Sequence, residues 1–412
     1  MKKGEKISKS RIEKVVLANF GAQVKFLRSI VAENSINVEG KKGIEASVAR
    51  IVRRKLTDMG VVAKYLRANK HRPNILSSWG PVRSRKSVTL TGHMDIEEPL
   101  WGSRGDWFSP QVKEERMYGA GVLDMKGSLS AYIFALRALM DLKMKPMGQL
   151  KLIFSVDGAG EKSSELGLKF LVKKGFRSGG ALLAKPGLSK IAIGHRGGYR
   201  FCIKTRGETV NTGRKVWEKG EKGRNAIADM GLIMRKLASF DLPYKPAKAF
   251  PSRVPVFTFP TKISGGRAVN VVPDVCEAWG DVRLLPGNTD NQVRMWIEDK
   301  LSSLDGVDWE LSDLFYVPAM EVERHEKIAH FLAASAEMFL PVSPKLEGCG
   351  PWNEAWILTC NDTPCIAGFG PEGQEGDESN EEWINLESLK KFTMILVQMI
   401  YMYLGDKRER EF

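Results

Sequence analysis

Strand-like and helix-like stretches alternate along this chain up to about residue 192, and then the order of the alternation changes. Apolar spacing of three and four residues marks helices over 11–34 and 43–60. After them come "VVAKYLRA" and "SVTLTG" as strands, "DMKGSLSAYIFALRALMDL" as a long helix, "GQLKLIFSVDG" as a strand, "SSELGLKFLVKKGF" as a helix and "GALLAKPG" as a strand. Strands separated by helices pair in parallel, because only a crossover lets consecutive strands run the same way. From residue 193 the order becomes "GYRFCIKTRG", "GRNAIADMGLIMRKLASF", "VPVFTFPTKISGG", "DVCEAWGDVRLLPG", "NQVRMWIEDKLSSL" and "VDWELSDLFYV". That β-α-β-β-α-β order is a ferredoxin-like unit. The first rhythm then returns through "KIAHFLAASAEMFL", "TPCIAGFGP" and "LESLKKFTMILVQMIYMYL". The expected fold is therefore an α/β domain with a mainly parallel sheet flanked by helices, formed by residues 1–192 and 318–412. A small α+β domain, residues 193–317, is inserted in it.

A chain of 412 residues exceeds one ordinary core, which agrees with two domains. Lys and Arg number 63 against 49 Asp and Glu, a net charge of +14. These basic residues are spread along the chain without interleaved aromatics, so a solvated basic surface is expected and no nucleic-acid partner. The basic N-terminus leads into no apolar core, and no run of about 18 uncharged apolar residues occurs. Neither a signal peptide nor a membrane span is expected. The five cysteines form no C-x-x-C pair, which favours a reducing cytoplasm over a disulfide framework or a zinc knuckle.

Two segments carry candidate chemistry. In "LTGHMDIEEPLW", His93 and Asp95 follow an apolar strand, where ligands gather at the carboxyl ends of α/β sheets. In "MYGAGVLDMKGSL", Asp124 follows a Gly-rich turn and opens the long helix, where a negative charge is favoured. Each alone has a plain structural reading, a satisfied histidine and a helix cap.

Together, with "WFSP" between them and with "GRNAIADM" and "GGRAVNVVPDVCEAWGDVRLLPG" further on, these segments resemble the metallopeptidases and deacylases that include aminoacylases, acetylornithine deacetylases and succinyl-diaminopimelate desuccinylases. The resemblance covers most of the chain. It implies an α/β catalytic domain with an inserted ferredoxin-like lid, a homodimer formed through that lid, and hydrolysis of amide bonds in N-acyl amino acids or short peptides. It also implies two zinc ions bridged by a carboxylate, with a Glu as general base. His93 would be a metal ligand, Asp124 the bridge, and Asp95 the catalytic-site residue that orients His93.

The pattern then breaks at several positions. The family's Glu-Glu pair falls on Gly158 and Ala159 if counted from Phe154, or on Gly160 and Glu161 if counted back from "ELG". Only Glu161 survives, as a weak metal ligand or base. The acidic ligand before a Pro is Lys185, whose ammonium repels a divalent ion and can fill the vacant charge position opposite Asp124. The C-terminal His position holds Asp377, a harder oxygen ligand, with Glu381 four residues on. The lid His position matches Asn211, and Arg283 is placed to meet a substrate carboxylate. Zinc or another divalent metal is thus expected as one ion or none. Two readings stand: an amide hydrolase with a degraded dinuclear site, or a non-catalytic relative that binds a small acidic or peptidic ligand or a protein partner.

Overall fold

The structure is a computed structural model that describes residues 7–38, 44–82, 84, 86–100, 107–159, 164–377 and 380–405. In chain order its principal elements are α1 (Lys9–Val31), α2 (Ala46–Asp58), β1 (Ala63–Asn69), β2 (Arg72–Trp79), β3 (Ser87–His93), α3 (Gly127–Asp141), β4 (Gln149–Ser155), β5 (Ala181–Leu183), β6 (Gly197–Arg206), α4 (Ala226–Lys236), β7 (Val256–Gly265), β8 (Val275–Leu284), α5 (Asp290–Leu301), β9 (Asp308–Val317), α6 (Lys327–Phe339), α7 (Ala355–Thr359), β10 (Cys365–Ile366) and α8 (Leu386–Leu404). They divide into two compact units. One comprises Met1–Gly194, Val322–Cys349 and Asn353–Phe412; the other comprises His195–Glu321 and Gly350–Trp352.

The larger unit is built on a six-stranded sheet in the order β1-β2-β4-β3-β5-β10. The β4-β3, β3-β5 and β5-β10 pairs are parallel; β1-β2 and β2-β4 are antiparallel. β2 is not legible in the sequence, because "RPNILSSW" has a proline at its second position and lacks clean alternation. Every residue of β3 is buried, as a central parallel strand requires. Helix α3 is also buried almost all round, and packs between α1 and α8. It starts later than its sequence suggests. Val122–Lys126 forms an irregular turn in which Asp124 (φ −113°, ψ 88°) leaves helical backbone, and regular helix begins at Gly127. A side chain at Gly127 would meet Ile384 Cδ1 at 2.3 Å, so only glycine lets the turn close there. The helix expected over 163–176 is regular only over Leu168–Lys173.

The smaller unit has the antiparallel order β7-β8-β6-β9 with α4 and α5, which is the ferredoxin-like arrangement. Asn225 caps α4 by accepting from the Ile227 and Ala228 amides, and Thr289 with Gln292 forms a capping box on α5. Its core contains Phe201, stacked between Tyr199 and the pair Phe257 and Phe259 at 5.6–5.7 Å. Among the described residues no helix is long and apolar enough to cross a membrane.

Candidate functional site

Three neighbouring parallel strands of the larger unit deliver the site from their carboxyl ends. His93 is the last residue of β3, Gly158 and Ala159 follow β4, and Lys185 follows β5. Tyr132 of α3 ties this edge together. Its hydroxyl donates to Thr91 O and accepts from the Ala184 amide, both at 3.0 Å. Gly92 keeps the strand within reach of the Asp124 turn, since a Cβ there would lie 2.2 Å from Met125 Cε.

The centre of the site is an ion pair. Lys185 Nζ donates to Asp124 Oδ1 at 2.7 Å and Oδ2 at 2.8 Å, and lies 3.5 Å from His93 Nε2. Burial raises the Asp124 carboxyl, but Lys185 and His93 outweigh it and hold the group below its usual range. Burial likewise lowers the Lys185 ammonium, and Asp124 more than restores it, so the net shift is upward. Both groups are charged near neutrality.

His93 is held from behind by Asp95, though not through its carboxylate. His93 Nδ1 donates to the Asp95 backbone carbonyl at 2.8 Å, while the nearest carboxylate oxygen is 3.8 Å away. With Nδ1 carrying the proton, Nε2 is free to accept from Lys185. The Asp95 carboxylate faces elsewhere: it accepts from the Gly158 amide at 3.1 Å, the Ala159 amide at 2.9 Å and Asn37 Nδ2 at 2.8 Å. Burial pushes its carboxyl up to about 6, against the lowering effect of His93. Behind it, Arg72 is paired with buried Glu45 and reaches Asn37 Oδ1 at 3.3 Å and Asp157 at 3.4 Å.

Two carboxylates of this site carry no motif in the sequence. Glu382 is buried beneath the Asp124 turn and accepts from the amides of Gly121 (2.6 Å), Leu123 (2.7 Å) and Asp124 (3.1 Å). It shapes the irregular backbone that presents Asp124. Burial pushes its carboxyl up to about 7, partly offset by those three amides. Glu354, at the start of α7, is 2% exposed, and neither carboxylate oxygen has a hydrogen-bond partner. A Cβ built on Gly158 would lie 2.8 Å from Glu354 Oε1 and 2.3 Å from His93 Cβ, so Gly158 is the glycine that lets Glu354 and His93 come together.

Of the remaining sequence candidates within the larger unit, Asp377 is not gathered here. Asp377 is exposed, and its carboxylate accepts from the backbone and side-chain nitrogens of Asn380 in a local turn. Glu381, placed four residues after it, is exposed; Glu382 is the inward carboxylate. Counting four residues back from Glu382 gives Glu378, which lies outside the described residues, as does Glu161. Asn211 and Arg283 belong to the smaller unit. Asn211 Oδ1 accepts from the Gly213 amide, and Arg283 Nε donates to Asp281 at 2.7 Å. Also within the larger unit, a cleft of about 480 Å³ is lined by Pro186, Gly187, Glu372, Gly373, Trp383 and Asn385, next in sequence to Lys185 and Glu382.

The donors among the described residues do not fit a dinuclear metal centre. The lone pairs of Asp124 and His93 that would face an ion face an ammonium, and Gly158 and Ala159 bring no side-chain donor. Among the described residues no three His, Cys, Asp or Glu side chains are grouped to hold an ion. A divalent cation beside Lys185 would also be repelled.

Comparison with known proteins agrees with the architecture. The chain is 25% identical over 357 residues to N-formyl-4-amino-5-aminomethyl-2-methylpyrimidine deformylase of Bacillus subtilis, covering 79% of this chain and 81% of that one. It is 23% identical over 401 residues to a probable succinyl-diaminopimelate desuccinylase of Staphylococcus aureus, covering 90% and 96%. The crystal structure of aminopeptidase PepT from Bacillus cereus superposes with a TM-score of 0.75 at 20% identity, over 93% of this chain and 99% of that one. The model of peptidase family M20/M25/M40 matches residues 89–402, three-quarters of the chain, and the chain belongs to that family.

Proposed function

We propose that this chain is a member of its amide-hydrolase family that no longer runs two-metal hydrolysis and instead binds a small acidic or peptidic ligand. The observation that carries this reading is the Lys185 ammonium, hydrogen-bonded to both oxygens of Asp124 and within 3.5 Å of His93 Nε2. A fixed positive charge there does the electrostatic work of one metal ion at the bridging carboxylate. It supplies neither an acidic bound water nor a second ion to activate a nucleophile. The absence of a Glu at 158 and 159 supports the same reading, because removal of a general base commonly costs about 10²–10⁴ in rate. Asp95 and Asp124 then act as anchors of the His93–Lys185 arrangement, and Arg283 is the candidate contact for a ligand carboxylate. The five free cysteines support residence in a reducing compartment.

The reading includes a homodimer through the inserted domain. β7 is an edge strand that exposes Val256 and Ile263, and an edge of that kind is a natural pairing surface.

The test is to purify the protein without chelator, quantify zinc, cobalt and manganese, and assay N-acyl amino acids and dipeptides. Substoichiometric metal with no turnover is expected. A pair of bound ions with turnover lost in Asp124→Ala would establish an ordinary hydrolase instead. Sedimentation analysis of the same sample reads the dimer.

A further inference from the structure

Glu354 presents a problem that the other described residues do not solve. Its carboxylate is 2% exposed and makes no hydrogen bond. An ionised carboxylate offers about four acceptor positions, and leaving them empty in a buried place is costly. The cation that interacts with it through space is already committed: the three N–H groups of the Lys185 ammonium are taken up by Asp124 Oδ1, Asp124 Oδ2 and His93 Nε2. Glu354 helps to keep Lys185 charged through space, but receives no donor from it. His93 has none to give either, since its Nδ1 proton goes to the Asp95 carbonyl. The missing side chain at Gly158 lets Glu354 Oε1 and His93 approach one another.

We infer that Glu354, beside His93, anchors a subsite for a primary ammonium group, so that the ligand is an amino acid or peptide with a free amino terminus rather than an N-acylated one. The inference rests on the ligand-binding reading above and narrows its ligand class. An ammonium brings one positive charge and three N–H donors of its own, which matches a carboxylate that has no donor and shares the charge of Lys185 with Asp124. A divalent metal ion is disfavoured here by the adjacent Lys185 charge and by the lack of a third acidic or imidazole donor among the described residues. A water molecule would donate hydrogen bonds but leave the charge uncompensated.

The test uses the full chain, with its metal content measured beforehand, and calorimetric titration with glycinamide, which carries an ammonium and no carboxylate. Saturable binding of glycinamide is expected, with none of N-acetylglycinamide, and Glu354→Gln should weaken glycinamide binding at least tenfold. Thermal unfolding of Glu354→Gln should show an equal or higher Tm, because the variant removes a buried charge that no donor satisfies. No saturable glycinamide binding, equal binding by the variant, binding of the acetylated probe, or a Tm that falls by several degrees would each overturn the assignment. Zinc or potassium taken up by the wild type and lost in Glu354→Gln would overturn it in favour of an inorganic cation. A two-metal hydrolase would show itself in the metal content and turnover, independently of the amine titration.

Discussion

Lys185 and Asp124 meet through both carboxylate oxygens, at 2.7 and 2.8 Å, across the gap between the end of β5 and the turn that opens α3. Their side chains are 27% and 33% exposed, so the pair lies between a surface ion pair and a buried one. Lys185→Met leaves Asp124 without its donor in a partly shielded place. The expected loss is about 1–3 kcal/mol, well under the cost of breaking a fully buried pair. Urea unfolding measures it, and unchanged stability would mean that the pair adds nothing.

Replacing the ammonium by an acceptor reverses the electrostatics of the site. Lys185→Asp places a third acidic or imidazole donor beside Asp124 and His93, the set that a divalent ion needs. The variant is expected to retain about one zinc ion per chain after desalting, by analogy with sites of three protein ligands and a water. The wild type should retain much less. Elemental analysis decides; equal metal content in both proteins would show that Lys185 does not govern metal binding.

The Glu382 carboxyl makes stability depend on acidity. Its folded value of about 7 lies above the ordinary 4.5, so between those pH values the folded state holds a proton that the unfolded state has released. Its contribution is therefore greatest below pH 4.5 and is lost as the pH rises to about 7, by roughly 3 kcal/mol at 1.36 kcal/mol per unit. Lys126, pushed down to about 7 by burial, has the opposite slope but acts between pH 7 and 10.5. Glu382→Gln should flatten the stability profile over pH 4.5–7. It should also lower stability throughout, because an amide nitrogen would face one of the three backbone N–H groups. Unfolding free energies at several pH values test both effects.

Gly158 is too close to its neighbours to accept a side chain. Gly158→Ala would set a Cβ 2.3 Å from His93 Cβ, so backbone or ring must shift, at about 1–3 kcal/mol. For the same reason Gly158→Glu should not restore an amide-hydrolysing base, although it restores the residue type that the family resemblance expects in the register counted from Phe154. Turnover of N-acyl amino acids by that variant would contradict the crowding.

The periodic elements were legible because their patterns are local. α1, α3 and α8 show helical spacing, and β6, β8 and β9 alternate along a sheet with one buried face. The order of those elements was enough to separate an α/β domain from a β-α-β-β-α-β insert, since parallel pairing demands crossovers and ferredoxin-like pairing does not. His93, Asp95, Asp124 and Lys185 could be singled out because they stand at strand ends and turns, in short recognisable segments. What no local pattern contains is which groups satisfy one another. Folding spent the Asp95 carboxylate on the amides of Gly158 and Ala159, left His93 to the Asp95 carbonyl, and chose Glu382 over Glu381 to hold the Asp124 turn. It also brought Glu354 beside His93, 261 positions along the chain, without a donor. Hydrogen bonds and ion pairs are short-ranged, and most of the contacts that decide this site are made between residues tens to hundreds of positions apart; only the tertiary structure brings them within 3.5 Å.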